Sequence, residues 1–574
     1  IIKIEVLRFL NKINESFELV EQSHQLLERL TQDQFPENLP EESLQEDHSV
    51  LISTRGYMSE IESRKARLLN QKGIFYLHKG KYDLALECFE QGLIIAEKFS
   101  NKQEMARSLI RIGAIYYSKG DFDRALDFYQ RSLMLTKKFD KENLATSFIS
   151  MGSVYMRKGS LDLALDYLRR SLSLYRELDD KVNIAKNLNN LGNTYWYKGE
   201  LDQALDYHQQ ALLIRKELDN KNELAISFIN IGLVYMQKGE LNQALEYYQQ
   251  GLTIFRETGD KINIASSLIN IGEIYRQQGV LNKAYEYFQQ SMILWKEMGN
   301  KGEIGGIFSN IALLYWYKGD LTQATKYLEQ SLAIWEEMNH DYNKTNTLFG
   351  LIYLTLHKKD LDSTQISAKN NLINQSMTYL SQLEKIHQKE TSRLISQRYR
   401  LAKALVLKNC KERNKKLEAQ QIIQRIIQEE IASYELTILA KLSLCQILFE
   451  QLVFTGEQLF LDDLEKLLKD ILAISEKEHL HEIMLSTQLL KGKLALLKLN
   501  IPYARSIFQQ LKVTTQEKGF KEIEYQCEKE LTNLQDYITI EVVLKKQEAQ
   551  QARFQNQQIE DIINYLIKIA TKVI

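Results

Sequence analysis

The spacing of apolar residues between 187 and 212 predicts a pair of amphipathic helices. In the stretch NLNNLGNTYWYKGELDQALDYHQQAL, apolar side chains recur every three or four residues, at Leu188, Leu191, Tyr195, Leu201, Ala204, Leu205 and Leu212. This spacing is the period of an α-helix. Asparagine is a poor helix former, about 0.6 kcal/mol per residue worse than alanine. The first helix nevertheless contains Asn187, Asn189, Asn190 and Asn193, and this raises the question of what these amides contribute.

The same pattern recurs along the chain about every 40 residues. KGELDQALDYHQQAL has close relatives, from KGKYDLALECFEQGL at 79–93 to KGDLTQATKYLEQSL at 318–332. The glycines of these segments are Gly80, Gly120, Gly159, Gly199, Gly239, Gly279 and Gly319. No long segment alternates with period two, and the only prolines are Pro36, Pro40 and Pro502. These features predict an all-α chain of repeats.

Each repeat reads as two helices. The first helix ends at Lys-Gly, where glycine permits a left-handed C-terminal cap. The second ends near LDDK, LDNK or TGDK, where Asp or Asn can cap the next helix. One helix pair cannot bury its apolar stripe alone, so the repeats must stack.

The repeat resembles the tetratricopeptide repeat (TPR). Small or apolar residues recur at Leu188, Leu191, Gly192, Tyr195, Ala204, Tyr207 or His208, and Ala211. The usual proline after the second helix is missing, and the repeat is longer than the usual 34 or so residues. This longer form, with RELDDKVNIAKNLNNLGNTYWYKG at 176–199, is most similar to Pins/LGN-type adaptors and, less closely, to kinesin light chain. The resemblance covers about 63–341 and implies a right-handed superhelical solenoid of antiparallel helix pairs.

Asn190 lies on the helix face opposite the apolar stripe, together with Lys186, Asn193 and Tyr197. Three later repeats have asparagine at the same position, and the two earlier ones have Ser150 and Arg111. The resemblance implies that this face lines a concave groove and that its asparagines hold the backbone of an extended peptide. A carboxamide can donate to a peptide C=O and accept from a peptide N–H. Alternatively, each asparagine bonds a neighbouring helix, for a net gain of about 1 kcal/mol.

The candidate peptide-binding residues all lie on this face, which we call the stripe. They are Arg107, Arg111, Arg157, Lys186, Asn190, Asn193, Tyr197, Asn230, Leu233, Asn270, Asn310 and Tyr317. The first four make one end basic, which favours a partly acidic partner. Asn187 and Asn189 lie on its flanks and are either solvated or bonded. Trp196 and Trp316 lie beside it, as packing residues or as pocket walls.

The segments outside the repeats have other patterns. We expect an amphipathic helix at 1–32, an acidic linker and lead-in helix at 33–62, seven repeats at 63–341, degenerate TPR-like hairpins at 342–535 and an amphipathic helix at 541–574. The acidic part of the linker, 33–54, contains two prolines and no Lys or Arg. We expect 559–573 to dock on the chain's own C-terminal hairpins, with self-association as the alternative. A basic cluster at 408–416 indicates a solvated loop or, less strongly, contact with nucleic acid.

Composition and motifs exclude several classes of function. The chain has 74 Lys and Arg against 75 Asp and Glu, so no global field attracts nucleic acid or an anionic membrane. No apolar run is expected to span a bilayer. Four scattered cysteines suit a reducing, cytoplasmic compartment. No phosphate loop, dinucleotide fingerprint or metalloprotease motif occurs, and the two histidines of HLHE at 479–482 diverge on a helix, so we expect no enzyme, cofactor or metal.

Three functions remain open. The chain can be an adaptor that holds an extended peptide of another protein. It can be a sensor that passes peptide binding to an output domain, as in bacterial peptide-pheromone receptors with comparable repeats. It can also be a scaffold whose groove is filled by its own chain. The G-protein-binding motifs of Pins/LGN adaptors and the carboxylate clamp of chaperone-binding TPR proteins are not found, so neither activity is expected. Because the sequence begins at Ile1, we expect it to be a fragment of a longer chain.

Overall fold

A computed structural model describes residue 22 and residues 48–534, apart from 137–139, 358–365, 390–391, 411, 430–433, 456–457, 478–480, 499 and 522. The described segments are helices joined by short turns, and they contain no strand. Consecutive helices pair with each other. The fold is therefore an all-α, TPR-like solenoid of antiparallel helix pairs, as the sequence predicts. The predicted helices at 1–32 and 541–574 lie outside the described residues, apart from residue 22.

Fourteen of the described helices belong to the repeats. They are α1 (His48–His78), α2 (Tyr82–Lys98), α3 (Lys102–Ser118), α4 (Phe122–Thr136), α5 (Lys141–Arg157), α6 (Leu161–Glu177), α7 (Lys181–Lys198), α8 (Leu201–Glu217), α9 (Lys221–Gln237), α10 (Leu241–Thr258), α11 (Lys261–Gln277), α12 (Leu281–Glu297), α13 (Lys301–Tyr317) and α14 (Leu321–Glu337). Helix α1 begins inside the segment that the sequence indicates to be linker. No proline or glycine occurs between His48 and Arg55, so the backbone can extend the helix backward.

The later helices continue the same alternation. They are α15 (Asp341–His357), α16 (Ile366–His387), α17 (Arg393–Lys408), α18 (Arg413–Gln428), α19 (Tyr434–Thr455), α20 (Gln458–Lys477), α21 (His481–Leu497) and α22 (Ile501–Lys518), followed by a helical stretch at 523–534. Contacts divide the chain into an N-terminal unit, Ile1–Val234, and a C-terminal unit, Tyr235–Ile574.

Helix ends follow the predicted chemistry. All seven repeat glycines have positive φ, between 69° and 80°. This confirms the left-handed turn after each first helix. At the start of α7 the Asp180 carboxylate accepts a hydrogen bond from the Asn183 amide at 3.1 Å, and Asp140 and Asp260 cap α5 and α11 in the same way. The turns of the repeat are therefore encoded locally.

In the first four repeats and in the sixth, a large side chain packs over a glycine in the core of the helix pair. A Cβ on Gly192 would lie 2.7 Å from the His208 ring, and Phe89 and Phe288 cover their glycines in the same way. Next to this contact, Tyr195 stacks on Tyr207 with ring centroids 5.3 Å apart. Glycine thus allows the two helices of a pair to approach closely.

The length and apolar composition of helix α19 contradict the expectation that no apolar run of the chain could span a bilayer. Leu436–Val453 has a mean hydropathy of 1.5 and is long enough to cross a membrane by length and composition. The expectation is therefore wrong for this segment. Of this segment, 61% is buried inside the protein, and a buried core helix can have the same length and composition as a membrane span.

Candidate peptide-binding stripe

The candidate residues lie on the first helices of successive repeats. In the N-terminal unit they are Arg107 and Arg111 on α3, Arg157 on α5, Lys186, Asn190, Asn193 and Tyr197 on α7, and Asn230 and Leu233 on α9. In the C-terminal unit they are Asn270 on α11, and Asn310 and Tyr317 on α13. The stripe is considered below within each unit.

Asn187 is a structural residue. It is fully buried, and its amide faces helix α6. With the amide oriented to match its neighbours, Nδ2 donates to the Leu168 carbonyl at 3.0 Å. Its Oδ1 then accepts from the Ser171 hydroxyl at 2.7 Å and from the Leu172 amide at 3.1 Å. Of the two possibilities that the sequence leaves open for Asn187, bonding rather than solvation is correct.

Asn190 and Asn230 are half-buried, and each uses its amide nitrogen to bond the preceding repeat. Asn190 Nδ2 donates to Ser153 Oγ at 3.4 Å, and Asn230 Nδ2 donates to Asn189 Oδ1 at 2.6 Å. The alternative of bonding to a neighbouring helix therefore holds for the two nitrogens. No hydrogen bond within the described part of the chain occupies either Oδ1, and both oxygens can still accept from a ligand.

Asn193 completes the polar part of the stripe on α7. It is half-buried, and its amide has no hydrogen-bond partner among the residues that the structure describes. Leu233 lies at the same repeat position on α9 and is also half-buried. The stripe thus offers amides with apolar contact beside them.

The basic end is smaller than the sequence indicates. Arg107 Nη1 donates to Glu104 Oε1 at 2.8 Å, and Arg107 Nη2 lies 3.7 Å from Glu142. Glu104 is fully buried, and its Oε1 also contacts Arg67 at 3.2 Å. The charge of Arg107 is therefore compensated inside the protein, which argues against Arg107 as a ligand contact. Arg111 is half-buried and has an internal contact.

Arg157 and Lys186 keep their side chains exposed. Neither forms an ion pair within the described ranges. Burial raises the pKa of the nearby Tyr117, Arg157 lowers it, and Tyr197 raises it. Arg157 and Lys186 are the positive charges of this face that remain available to an acidic group.

Two tyrosines at the same repeat position differ in exposure. Tyr197 is 49% exposed, whereas Tyr317 is 6% exposed. Arg276 Nη1 donates to the Tyr317 hydroxyl at 2.8 Å, and the Phe520 ring lies edge-on to the Tyr317 ring at 5.0 Å. The predicted ligand contact at Tyr317 is therefore corrected, because the chain's own residues cover it.

The two tryptophans beside the stripe also differ. Trp316 is buried against Tyr353 and His357, with ring centroids at 5.6 and 5.2 Å, so it is a packing residue. Trp196 is half-buried and edge-on to Tyr197 at 5.0 Å. Its indole nitrogen is buried without a hydrogen-bond partner in the described segments. The pocket-wall reading therefore stays open only for Trp196.

Two other polar surfaces bear on the sequence interpretation. In the basic cluster, Lys415 pairs with Glu412 at 3.1 Å and Lys416 with Glu450 at 2.8 Å.

A cleft of about 680 Å³ lies between α6 and α8, lined by Arg169, Ser173, Arg176 and Tyr207 among others. The sequence analysis did not single out this cleft, although the three α6 residues have helical i, i+4, i+7 spacing. Among the described residues, no group of three His, Cys, Asp or Glu could hold a metal ion.

Models of known protein families match the repeats of this chain. A tetratricopeptide-repeat family model matches 64–138 and 143–217, a MalT-like TPR region matches 181–302, and a further tetratricopeptide-repeat model matches 306–339. No curated protein matches the chain.

Several solved structures are similar to the chain in fold. The Rap conjugation gene regulator of the plasmid pLS20, in complex with the Phr* peptide, is 20% identical with a TM-score of 0.40, over 59% of this chain and 94% of that chain. A signal transduction ATPase with a tetratricopeptide repeat sensor from Pyrococcus horikoshii is 15% identical with a TM-score of 0.42, over 59% of this chain and 55% of that one. Kinesin light chain TPR-like repeats from Podosopora anserina are 18% identical with a TM-score of 0.30, over 35% and 98%. With the family models covering the repeats almost end to end, residues 64–339 belong to the tetratricopeptide-repeat superfamily.

Proposed function

We propose that the N-terminal unit binds an extended, partly acidic segment of another protein along the stripe. TPR arrays are generally non-enzymatic protein-interaction scaffolds, and this chain has that architecture. One observation carries the proposal: Asn190, Asn193 and Asn230 share a half-buried face and retain amide oxygens that no described residue occupies. Exposed Lys186 and Tyr197 flank these amides on α7.

The inter-repeat hydrogen bonds prepare these amides for a ligand. Because Asn190 and Asn230 are held through Nδ2, their oxygens are fixed before binding. A preorganised acceptor loses less side-chain entropy when it accepts a peptide N–H. Neighbouring helices lie about 10 Å apart, and an extended peptide advances about 3.3 Å per residue. One asparagine can therefore hold the backbone about every third residue, whatever the peptide's side chains.

Charge gives the ligand its preferred composition. Arg157 and Lys186 are exposed cations at the α5–α7 part of the stripe, and Arg107 is left out because Glu104 compensates it. Asp or Glu in the ligand should lie near these two residues, with Leu233 and Tyr197 contacting apolar side chains. On the C-terminal unit, Asn270 and Asn310 are also half-buried, and we propose the same kind of contact for them within that unit. Arg111, which is half-buried at the repeat position of Asn190, also remains a proposed ligand contact.

The proposed setting is the cytoplasm, with no nucleic acid or membrane as partner. The four cysteines are free and buried, which suits a reducing compartment. The net charge of −1 supplies no general attraction for polyanions. Regulation of an output domain remains a prediction. A groove filled by the protein's own chain is favoured at the C-terminal unit, where Phe520 covers Tyr317.

The test uses a randomised library of displayed peptides of about nine residues, the length that spans three repeats. The library is selected on the full chain, and the best peptide is titrated by fluorescence anisotropy. We expect enrichment of Asp and Glu, and at least about tenfold weaker binding to an Asn190→Ala, Asn193→Ala double variant. Gln209→Ala, on the exposed face of α8, is the matched amide control. Unchanged affinity in the double variant, or loss of equal size in the control, would exclude the stripe.

A further inference from the structure

The turn between α11 and α12 is covered by the end of α22. A Cβ on Gly279 would lie 2.4 Å from the Lys518 carbonyl oxygen and 2.5 Å from the Lys518 Cα. The turn glycines of four N-terminal repeats have nothing within 4 Å of such a Cβ: Gly80, Gly120, Gly159 and Gly199. All five have the same left-handed backbone. Only at Gly279, among these five, does the glycine also make room for another part of the chain.

Burial of the neighbouring leucines shows how far the cover extends. In three repeats, the residue two positions after the turn glycine is a half-buried leucine: Leu161, Leu201 and Leu241. The same position is only 7% exposed at Leu281 and 6% at Leu321. A Cβ on Gly519 would lie 3.4 Å from Leu281 Cδ1, which places the covering backbone directly on this leucine.

The covering segment ends on the stripe. Gly519 has φ of 74° and terminates α22 in the left-handed region, so the chain turns and directs Phe520 inward. Phe520 is buried against Tyr317, and a Cβ on Gly319 would lie 3.8 Å from Lys521 Cβ. Burial also lowers the pKa of Lys518. Four consecutive residues thus span two adjacent turns of the C-terminal unit.

We propose that residues 518–521 form an internal latch, which closes the C-terminal unit and hides an apolar docking edge made of Leu281, Tyr317 and Leu321. With the latch closed, a ligand on the stripe can reach Asn270 and Asn310 but cannot reach Tyr317. Release of the latch exposes two leucines and a tyrosine together, a surface suited to an aromatic side chain preceded by glycine, as in the latch itself. Only the masking of a ligand site rests on the proposed function, because the closure is defined by the contacts alone.

The test measures the rate of thiol labelling in the full chain. All four native cysteines are buried, so Leu281→Cys supplies a distinct reactive thiol, and Leu201→Cys is the matched position without a cover. We expect Leu281→Cys to label more slowly than Leu201→Cys. Adding Phe520→Ala or Gly279→Ala should accelerate labelling at 281 by about tenfold, since local opening becomes easier. Neither change should affect labelling at 201.

Gly199→Ala is the control for backbone strain, because Gly199 and Gly279 have φ of 77° and 79° but only Gly279 is crowded. Gly199→Ala should leave the rate at 281 unchanged. Circular dichroism melting separates unlatching from general unfolding, and Gly279→Ala serves if Phe520→Ala lowers the melting temperature of the whole chain. Equal rates at 281 and 201 in the otherwise unaltered chain, or no response at 281 to either latch variant, would overturn the latch. Because no partner is used, such a result leaves the proposed binding by the N-terminal unit untouched.

Discussion

Asn187 and Asn190 lie three positions apart on α7, and their surroundings give them different roles. Asn187 is buried and satisfied by three groups of α6, whereas Asn190 is half-buried and holds one long hydrogen bond. The amides of α7 are therefore explained individually rather than as one ladder. The sequence contains a signal for Asn187, because the equivalent residues of other repeats are small, polar and buried: Ser108, Ser147, Ser227 and Ser267.

Replacing each asparagine by alanine should separate structure from recognition. Asn187→Ala removes a fully buried amide together with its hydrogen bonds to α6, so it should lower the free energy of unfolding by about 1–3 kcal/mol. Asn190→Ala loses one bond of 3.4 Å and gains about 0.6 kcal/mol of helix propensity, so stability should be nearly unchanged. Thermal melting and titration of the selected peptide measure the two effects. A large loss of stability in Asn190→Ala with normal binding by the folded protein would show that Asn190 is structural.

His208 should make stability depend on pH. Burial lowers its pKa from 6.5 to about 4 in the folded state. The folded state therefore resists a proton that the unfolded chain accepts below pH 6.5, and stability contributed by neutral His208 is lost as the pH falls from 6.5 to about 4. The loss is on the order of 3 kcal/mol.

The variant His208→Phe should flatten this part of the profile. Phe89 and Phe288 already occupy the equivalent position over their own glycines, so phenylalanine fits the space. Denaturation of both proteins between pH 7 and about 4 gives the difference directly. Parallel profiles would show that His208 titrates normally in the folded chain.

At the scale of the helix, the sequence predicts the repeat well because its signals are local. The turn glycines, the capping Asp residues and, in five repeats, the glycine under a large side chain all lie within one helix pair. The charge of the stripe is harder to predict, because a side chain's partner decides whether it is available. The signal for Arg107 was nevertheless present, since Glu104 lies one helical turn before it on the same helix.

Truncation of Arg107 should therefore lower stability, whereas truncation of Arg157 should weaken ligand binding. Arg107→Ala leaves the buried Glu104 with Arg67 as its remaining arginine contact in the described structure, so melting should fall, by about 1–3 kcal/mol in stability. Arg157→Ala should leave the melting temperature unchanged but weaken the binding of an acidic peptide. The affinity of the unaltered chain for that peptide should decrease as the salt concentration rises. Anisotropy titrations at low and high salt measure both effects. Salt-independent binding of an acidic peptide would contradict the charge assignment.

At the scale of the molecule, contacts between residues far apart in sequence limit prediction. Tyr197 and Tyr317 have the same repeat position and the same residue type, yet only Tyr317 is covered by Phe520. No local pattern reports such a contact. The predicted domain boundaries, including the change of character after 341, remain predictions.

Residues 541–574 lie outside the described residues, and their assignment remains a prediction from the sequence. The segment has apolar residues at three- and four-residue spacing and contains no glycine or proline. We expect intramolecular docking, so deletion of 541–574 should leave the mass in solution at that of one chain. Light scattering of the intact and truncated proteins measures this. A dimer that becomes a well-folded monomer on deletion would instead assign the segment to self-association.

The crowding at Gly279 also limits how this array can grow or shrink. Repeat proteins usually tolerate duplication of a module, because each module contacts only its neighbours. Here Lys518 meets a turn at Gly279, so the number of helix pairs between these two residues is fixed by the contact. Duplicating the module 200–239 leaves that number unchanged, whereas duplicating one between 321 and 500 shifts the two ends out of phase. The contact therefore fixes the number of helix pairs between Gly279 and Lys518, whereas the number of repeats before Gly279 can vary.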